Sequence, residues 1–371
     1  MTRDIIKPNV LIIGSGHYST GNSVLTGKKS TDKDLGVLLP SLIFLKSKGL
    51  INDLTVCGTN GNKLKSIKAK FSKWCKEYNF NFEINYAPDD NQIDDKRYVK
   101  ELDKLKSPCA AIIAVPDHLH MAVMLECTKR NIPFLIVKPA VVKLDELYQI
   151  IESKNSNFPT FVDFHKVYDD ANLILKNDID HSTYGQIHHI SSLMTQRRDM
   201  LDIYSRWINK NSKLNINHYL GSHYIHLTGF ITKATPLCVR ATQQFGYAKK
   251  LFNKDIADSI QTHITWMSPE EYEFSSYHIA GWNDPNSTES MTYQEIHLLT
   301  ENGHVFSDQR YRGLRKVIEG QGMTAPNPYF FSPIKNLQNI LGIEGNYGFE
   351  SIKIFLDEVI RYYLGKKNKD I

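Results

Sequence analysis

The chain of 371 residues lacks the features that mark several large classes of protein. No apolar run approaches the roughly 20 residues needed to cross a bilayer, and the first residues lack the apolar core of a signal peptide. The five cysteines are odd in number, widely spaced and form no C-x-x-C pair, which disfavours a disulfide framework and a structural zinc site. We therefore expect a cytoplasmic protein with reduced thiols and no membrane partner.

An excess of charge of one sign is also missing. The 45 Lys and Arg residues nearly balance the 40 Asp and Glu residues, for a net charge of +5. Lysines between Lys63 and Lys106 are interleaved with acids, a pattern typical of solvated helix faces and not of a nucleic-acid surface. The pairs His118 with His120 and 188 with 189 have no carboxylate or Cys cluster to complete a ligand set. We predict no nucleic-acid partner and no metal.

The first part of the chain alternates short, continuously apolar runs with longer amphipathic ones. Runs at 10–13, 54–57, 110–115, 133–137 and 160–164 predict buried strands, and segments at 35–48, 63–78, 120–130 and 144–153 have helical spacing. Strands that are apolar on both faces and separated by helices indicate a parallel sheet covered on both sides. The fold class is therefore α/β, beginning with a doubly wound Rossmann domain.

The pattern changes after residue 184 or so. Strand-like stretches at 187–194, 237–245, 260–266, 272–282, 295–299 and 304–307 follow one another, with one helix near 216–232. This indicates an α+β domain with an open, mainly antiparallel sheet. We predict a dinucleotide-binding Rossmann domain over 1–142 and a substrate and oligomerisation domain over 143–371. The last helix, near 348–364, is expected to pack on a domain face, with the first domain as one candidate.

A glycine motif follows the first strand. Gly14-Ser-Gly16-His17-Tyr18-Ser19 fits G-x-G-x-x-[G/A] if Ser19 stands for the third small residue. Glycines here allow a tight turn and let backbone N–H groups approach a pyrophosphate. The motif also fits a simple strand-ending turn. The segment 27–30 resembles a P-loop, but its glycine spacing fails and no strand precedes it, so we interpret 21–34 as an inserted loop beside the cofactor.

The end of the second strand carries information about the cofactor. NAD enzymes usually place Asp or Glu there, to accept from the ribose hydroxyls, and this chain has Gly58. Thr59, Asn60 and Lys63 could instead donate to a 2′-phosphate. We therefore favour NADP over NAD, while a glycine turn with the ribose held elsewhere is the alternative.

One stretch has a specific resemblance to a known family. Residues 110–144 read AAIIAVPDHLHMAVMLECTKRNIPFLIVKPAVVKL. They resemble the glucose–fructose oxidoreductase/inositol dehydrogenase (Gfo/Idh/MocA) family, in which a strand ends in Pro, a His follows, and a later strand ends in Glu-Lys-Pro. The matching places are Val115-Pro116, His120 and Val137-Lys138-Pro139. The resemblance implies an NAD(P)-binding Rossmann domain, with Val115, Pro116, His120 and Lys138 on the cofactor side.

The same resemblance gives Lys138 a catalytic role. Lys138 ends a predicted parallel strand, and doubly wound sheets bind ligands at the carboxyl ends of their strands. A lysine in a partly desolvated pocket loses its proton more readily. It could then take the proton of a substrate hydroxyl, or hold its oxygen, while hydride leaves the carbon.

A second set of candidates lies on the helix near 216–232. Tyr219, His223 and His226 are spaced i, i+4 and i+7 and so share one helical face. The resemblance implies that His223 is a substrate or proton-relay residue. The family usually has Asp where this chain has Tyr219, and an acid where it has His226. A tyrosine hydroxyl must then substitute, or the mechanism shifts, and a pair of packed histidines is the plain alternative.

The remaining candidates follow predicted strand ends. His165 and Lys166 end the strand at 160–164 and are predicted substrate contacts, together with His226. Arg197, next to Arg198, suits a substrate carboxylate or phosphate, although both could be surface residues. The loop containing Trp207 could cover the site.

Together these features predict an NAD(P)-dependent oxidoreductase that transfers hydride to or from a hydroxyl or keto carbon of a sugar or polyol-like molecule. A catalytically inactive dinucleotide-binding regulator of the same fold is the alternative, and a redox-neutral enzyme that retains its cofactor is a third. We expect a homodimer or homotetramer.

Overall fold

The structure is a computed structural model, and it describes residues 6–21, 35–154, 157–201, 204, 214–320, 322–325, 332–335, 340–343 and 348–366. The described residues form two compact units. The first comprises those up to 163 and those from 332 onward, and the second comprises 164–325. No helix among these residues is both long and apolar enough to span a membrane.

The first unit is built on a six-stranded parallel sheet in the order β3-β2-β1-β4-β5-β6. Every residue of β1 and of β4 is buried, as expected for strands covered on both faces. The strands are β1 (Asn9–Ile13), β2 (Leu54–Cys57), β3 (Asn85–Ala87), β4 (Cys109–Ile113), β5 (Phe134–Val137) and β6 (Thr160–Asp163).

Helices cover both faces of this sheet, which confirms the doubly wound Rossmann prediction. One apolar core joins the sheet to α2, α3 and α10, and the other joins it to α4 and α5. A 3₁₀ turn, Asp117–Leu119, precedes α5, and a hairpin of β15 (Ser332–Lys335) and β16 (Ile340–Ile343) belongs to the same unit. The helices are α1 (His17–Thr20), α2 (Leu38–Ser47), α3 (Gly61–Glu77), α4 (Arg97–Lys104), α5 (His120–Lys129), α6 (Leu144–Ser153) and, last in the chain, α10 (Glu350–Tyr363).

The boundary between the units lies after Asp163 rather than after residue 142. The reason is that β6 pairs with β5 along its whole length, so α6 and β6 complete the parallel sheet. The last helix also belongs to the first unit: the ring of Phe355 lies 5.5 Å from that of Phe161 on β6, and Phe355 is fully buried.

The second unit is built on a six-stranded sheet in the order β12-β11-β7-β10-β9-β8. Only β7 and β10 pair in parallel among its strands, so the predicted open, mainly antiparallel sheet is confirmed. The strands are β7 (Ile187–Arg197), β8 (Thr235–Gln244), β9 (Ser259–Met267), β10 (Glu273–Asp284), β11 (Thr292–Thr300) and β12 (Gly303–Asp308).

The two faces of this second sheet differ, as in many antiparallel sheets. One face packs on helices, and its core includes Ile264 and Ile296 from the sheet and Leu227 and Ile231 from a helix. The other face carries exposed Leu299 and Phe306. The remaining elements are a 3₁₀ turn (His165–Tyr168), α7 (Asp170–Asp180), a π-helical turn (Asn217–Gly221), α8 (Ser222–Thr232), α9 (Tyr247–Phe252), β13 (Lys316–Ile318) and β14 (Gly322–Thr324).

Candidate functional site

The carboxyl ends of β1 and β4 form the switch point of the first sheet, where a doubly wound fold has its crevice. The backbone N–H of Ala114 donates to Ile13 at 2.8 Å, and that of Gly14 donates to Cys57 at 2.9 Å. The predicted glycine loop and Val115-Pro116 therefore leave the sheet side by side. His17 and Tyr18 begin the short helix α1 directly after the loop.

The two glycines of the loop differ in what they do for the fold. Gly14 has a φ of +114°, and a Cβ atom there would lie 2.1 Å from the carbonyl oxygen of Ala114. Gly16 has a φ of −80°, which any residue adopts, and a Cβ atom there would have no atom within 4 Å. The fold therefore requires Gly14, whereas Gly16 leaves open space at the sheet edge. That space fits a backbone that a ligand approaches closely.

Gly58, at the end of β2, lies against the glycine loop. A Cβ atom on Gly58 would lie 2.7 Å from Oγ of Ser15, so a larger residue there would require the Ser15 side chain to move. Thr59 is exposed beside it. Asn60 caps α3, and its Oδ1 accepts from the backbone N–H of Lys63 at 3.2 Å. The three predicted phosphate-contacting residues thus lie together at the start of α3, with the Asn60 oxygen already engaged.

His120 is fully buried beside the carboxyl edge of the first sheet. Nδ1 lies 2.7 Å from the carbonyl oxygen of Pro139, and Nε2 lies 2.9 Å from that of Val115. The ring thereby ties the end of β4 to the residue that follows Lys138. These two contacts hold the loops in place and weigh against a cofactor contact of His120, which stays a prediction.

Lys138 is half-buried at the carboxyl end of β5, directly after Val137. Val137 pairs with Asp163, the last residue of β6. The Asp163 carboxyl is 2% exposed, and its Oδ2 accepts from the Tyr18 hydroxyl at 3.0 Å. Sequence reasoning did not single out Asp163, although an acid at the end of an otherwise apolar strand was a usable signal.

In the second unit, two predicted histidines form a ring pair. His165 and His223 are each 4% exposed, and their ring centroids lie 4.6 Å apart. His226, one turn further along α8, is exposed and stacks parallel on Phe164, with centroids 3.9 Å apart. Residues 164–165 thus contact both histidines of α8.

Tyr219 lies in the π-helical turn that precedes α8, and it is not part of these ring contacts. Its hydroxyl forms a hydrogen bond with the hydroxyl of Tyr204, and the two ring centroids lie 4.3 Å apart. Because a π turn holds more residues than an α turn, the i to i+4 spacing of Tyr219 and His223 does not have its α-helical meaning here. Single π turns inside helices occur often at functional sites.

Lys166 lies inside the second unit, with 4% of its surface exposed. Its ammonium donates to Oε1 of Gln294 at 2.6 Å and to Oε1 of Gln309 at 2.8 Å, and it lies 4.6 Å from the centroid of the Tyr224 ring. The Tyr224 hydroxyl also donates to Gln309, at 3.0 Å. The substrate contact predicted for Lys166 stays a prediction, and these bonds weigh against it. Nothing in the sequence pointed to Gln294 or Gln309.

Burial lowers the pKa of Lys166 to about 7. The nearby Asp169 opposes this shift and Arg312 adds to it, while those two residues form an ion pair of 2.5 Å with each other. The network therefore holds a lysine that changes charge near neutral pH.

Arg197 is buried and already has an anionic partner. Its Nε and Nη2 donate to the two carboxylate oxygens of Asp199, each at 3.2 Å. Arg198 is exposed, with its guanidinium 5.8 Å from the Tyr247 ring centroid. A substrate contact of Arg197 stays a prediction.

Two further features complete the description of the site. Among the described residues, no group of three or more His, Cys, Asp or Glu side chains is placed to hold a metal ion. The predicted inserted loop, from residue 22 to 34, and Trp207 lie outside the described residues.

These observations define the class of protein: an α/β chain whose first unit has the doubly wound sheet and glycine loop typical of dinucleotide-binding domains, followed by a unit on an open mixed sheet. By sequence, the chain matches none of the family profiles and none of the curated proteins with which it was compared.

Solved structures do match along nearly the whole chain. Myo-inositol 2-dehydrogenase from Lactobacillus plantarum is 14% identical, with a TM-score of 0.66 over 98% of this chain and 91% of that one. Scyllo-inositol dehydrogenase from Lactobacillus casei, solved with NAD(H) and scyllo-inositol, is 11% identical, with a TM-score of 0.62 over 97% and 90%. An oxidoreductase from Agrobacterium radiobacter, in complex with NAD+, L-tartaric acid and magnesium, is 14% identical, with a TM-score of 0.65 over 98% and 90%.

At these identities the similarity establishes the fold. The chain has the fold of inositol dehydrogenases and related oxidoreductases, so the family resemblance of residues 110–144 is confirmed at the level of the fold.

The buried Lys166 gives a pH prediction. Its folded pKa, about 7, lies below the usual lysine value of 10.5, so the unfolded chain binds more protons between these values and stability rises with pH there. We expect the free energy of unfolding to rise between pH 7.5 and 8.5, by at most about 1.4 kcal/mol per pH unit from this group. Lys166→Met should lose that part of the slope.

Urea unfolding at several pH values measures this. Lys176→Met, which removes a surface lysine paired with Asp180, is the matched control and should keep the wild-type slope. An identical slope in wild type and Lys166→Met would show that Lys166 does not titrate near neutral pH.

Proposed function

We propose that this protein is an NAD(P)-dependent oxidoreductase that transfers hydride to or from a hydroxyl or keto carbon of a sugar or polyol-like molecule. The observation that carries the proposal is the pairing, on one sheet edge, of an open glycine loop at the switch point with Lys138 at the end of β5. The inositol dehydrogenases of the same fold, one of them solved with NAD(H) and scyllo-inositol, support it.

The residues of the glycine loop fit a dinucleotide. Gly16 leaves the space that a Cβ atom would fill, and backbone N–H groups at such a place can donate to a pyrophosphate. Gly14, Gly16, His17, Tyr18, Val115 and Pro116 are the residues that would hold it. When bound, the nicotinamide supplies the hydride acceptor or donor.

The chain itself supplies the proton chemistry. Lys138 is half-buried at the end of β5. It takes the proton of the substrate hydroxyl or holds the hydroxyl oxygen. His223, which forms a buried ring pair with His165, relays or holds a proton. Lys138 and His223 are both required for turnover. His226, Arg197 and Lys166 remain predicted substrate contacts, and Tyr219 a predicted catalytic residue.

We favour NADP over NAD as the cofactor. Residue 58, at the end of β2, is a glycine, so no carboxylate there repels a 2′-phosphate. Exposed Thr59 and the amine of Lys63, with the Asn60 amide, supply donors at the start of α3. Both bound cofactors named for the similar structures are forms of NAD, so this preference is specific to the present chain.

A dinucleotide-binding regulator without turnover is the second candidate. One observation favours it: the Tyr219 hydroxyl bonds to Tyr204, so it is committed elsewhere than to His223. Steady-state reduction or oxidation of the free cofactor, with a sugar or polyol panel, separates the two candidates.

Assembly into a homodimer or homotetramer remains a prediction. The large apolar side chains of Leu299 and Phe306 are more than half exposed on the outer face of the neighbouring strands β11 and β12, and exposed apolar side chains that lie together favour contact with another subunit. A cytoplasmic location also remains a prediction.

The two loop glycines give a matched pair of variants. Gly16→Ala should fold as the wild type does, because its Cβ meets no atom, yet weaken NADPH binding by about ten-fold or more, since the methyl group occupies the approach to the backbone. Gly14→Ala should lose stability, because its Cβ clashes with Ala114. NADPH fluorescence titration and thermal unfolding measure both effects, and wild-type affinity in Gly16→Ala would contradict the proposed cofactor cradle.

Lys138 is tested by turnover measured separately from binding. Lys138→Ala should keep NADPH affinity while turnover with the best substrate falls by about 10²–10⁴-fold, the usual contribution of a positioned acid or base. Lys129→Ala, at an exposed lysine paired with Glu126, is the control and should keep wild-type turnover. Unchanged turnover in Lys138→Ala would remove Lys138 from the mechanism.

A further inference from the structure

The first unit contains a buried carboxyl that the proposed mechanism does not use. Asp163, at the carboxyl end of β6, has 2% of its surface exposed. A buried carboxylate costs free energy unless it is hydrogen-bonded or paired with a cation. We therefore expect hydrogen-bond donors and a cation to stabilise the Asp163 carboxyl.

Three elements of the first unit face this carboxyl. From α1, the Tyr18 hydroxyl donates to Oδ2 at 3.0 Å. From α10, the Ser351 hydroxyl lies nearby, but among the described residues it makes no hydrogen bond of normal geometry with Oδ1. From the end of β5, Lys138 contributes a positive charge.

The register of the sheet explains the place of Lys138. Asp163 pairs with Val137, and Lys138 follows Val137 directly. Since neighbouring strands lie about 4.8 Å apart, the carboxyl and the lysine leave the same sheet edge from adjacent strands. A lysine stem is long enough to span one strand spacing, and the charge of Lys138 acts on the Asp163 carboxyl.

The electrostatics of Asp163 depend on that lysine. Burial raises the pKa of the Asp163 carboxyl, and Ser351, Tyr18 and the charge of Lys138 each oppose the rise. Among the residues that the structure describes, Tyr18 and Lys138 are the titratable groups that act on the carboxyl. The ionised carboxyl and the protonated lysine therefore stabilise each other.

We propose that Asp163 is a positioning residue for Lys138: its carboxylate, oriented by the Tyr18 hydroxyl, holds the lysine amine at the carboxyl edge of the sheet and sets the pH at which that amine loses its proton. The catalytic importance of this role rests on the proposed function. The electrostatic coupling between Asp163 and Lys138 is independent of that function and can be measured without turnover.

The first experiment measures the proton affinity of Lys138 directly. Competitive labelling with acetic anhydride, read by mass spectrometry at a series of pH values, reports the fraction of neutral amine at Lys138. Asp163→Asn keeps the size of the side chain and removes its charge. Because a neighbouring carboxylate favours the protonated amine, the labelling midpoint of Lys138 should fall by about one pH unit or more in this variant. Ser351→Ala, which keeps the carboxyl, should leave the midpoint near the wild-type value.

If Asp163 only connected α1 to β6 through its hydrogen bond with Tyr18, the result would be different. Asp163→Asn would then lower stability without moving the labelling midpoint, and the proposal would be overturned. Asp163→Glu, which restores the charge, should return the midpoint toward the wild-type value.

A reciprocal variant covers the case in which Asp163→Asn does not fold. Lys138→Met leaves the buried carboxyl without its cation, so the folded pKa of Asp163 rises further above its unfolded value. Stability is then lost as pH rises through the folded pKa. The urea midpoint of Lys138→Met should fall relative to wild type between pH 4 and 7, whereas a constant difference would overturn the coupling.

Turnover distinguishes failure of this inference from failure of the proposed function. If the wild type oxidises a polyol, the pH at which its turnover is half-maximal should shift downward in Asp163→Asn together with the labelling midpoint. If no substrate is found, the proposed function fails while the labelling result still decides the coupling. Turnover in Asp163→Asn with the wild-type pH profile would contradict the positioning role.

Discussion

The close approach of Gly14 to the backbone of Ala114 is the constraint on which the carboxyl edge of the first sheet depends. A Cβ atom at Gly14 would lie 2.1 Å from a carbonyl oxygen, so any other residue would push the ends of β1 and β4 apart. This contact fixes the loop up to Gly16 beside Val115. The next strands on either side, β2 with Gly58 and β5 with Lys138, follow at the regular spacing of a parallel sheet. The candidate chemistry of the first unit is thus arranged by backbone packing.

The strongest sequence signals were those of backbone and burial. A continuous apolar run predicted β2 at 54–57, and amphipathic spacing predicted α6 at 144–153. Both predictions match the observed ends, because a buried parallel strand and an amphipathic helix each have a clear local pattern. The strand β3 was not predicted, because it has only three residues and only Ala87 among them is buried. Residues 170–180, which form α7, were not assigned, and the π-helical turn at 217–221 has no sequence signature distinct from an α-helix.

The candidate site was less predictable than the fold, because it depends on side chains that are distant in sequence. Lys166 was expected to face a substrate, but Gln294 and Gln309, 128 and 143 residues later, take its ammonium into the interior of the second unit. His120 was expected at the cofactor, but its two ring nitrogens face backbone carbonyls. A polar residue at a strand end has the same local sequence whether it points into a cleft or into a core. Spacing alone therefore located these residues at strand ends, and their roles as ligand contacts stay predictions.

Buried polar groups give each unit its own titrating centre. In the second unit, burial lowers the pKa of Lys166 to about 7, and its ammonium donates to the amides of Gln294 and Gln309. In the first unit, Asp163 has a cation and a phenol as neighbours. Such groups are costly to bury unless they are hydrogen-bonded or paired, and each of these two has such partners among the described residues.

The central claim, that the first unit binds a nicotinamide dinucleotide, is tested most directly by fluorescence titration of the purified protein with NADPH and, separately, with NADH. The account predicts NADPH binding at micromolar concentrations, about ten-fold or more tighter than NADH, because Gly58 offers no carboxylate to the ribose. Tight NADH binding with weak NADPH would retain the dinucleotide site and refute the argument from Gly58. If neither dinucleotide binds at micromolar concentrations, the oxidoreductase proposal is contradicted.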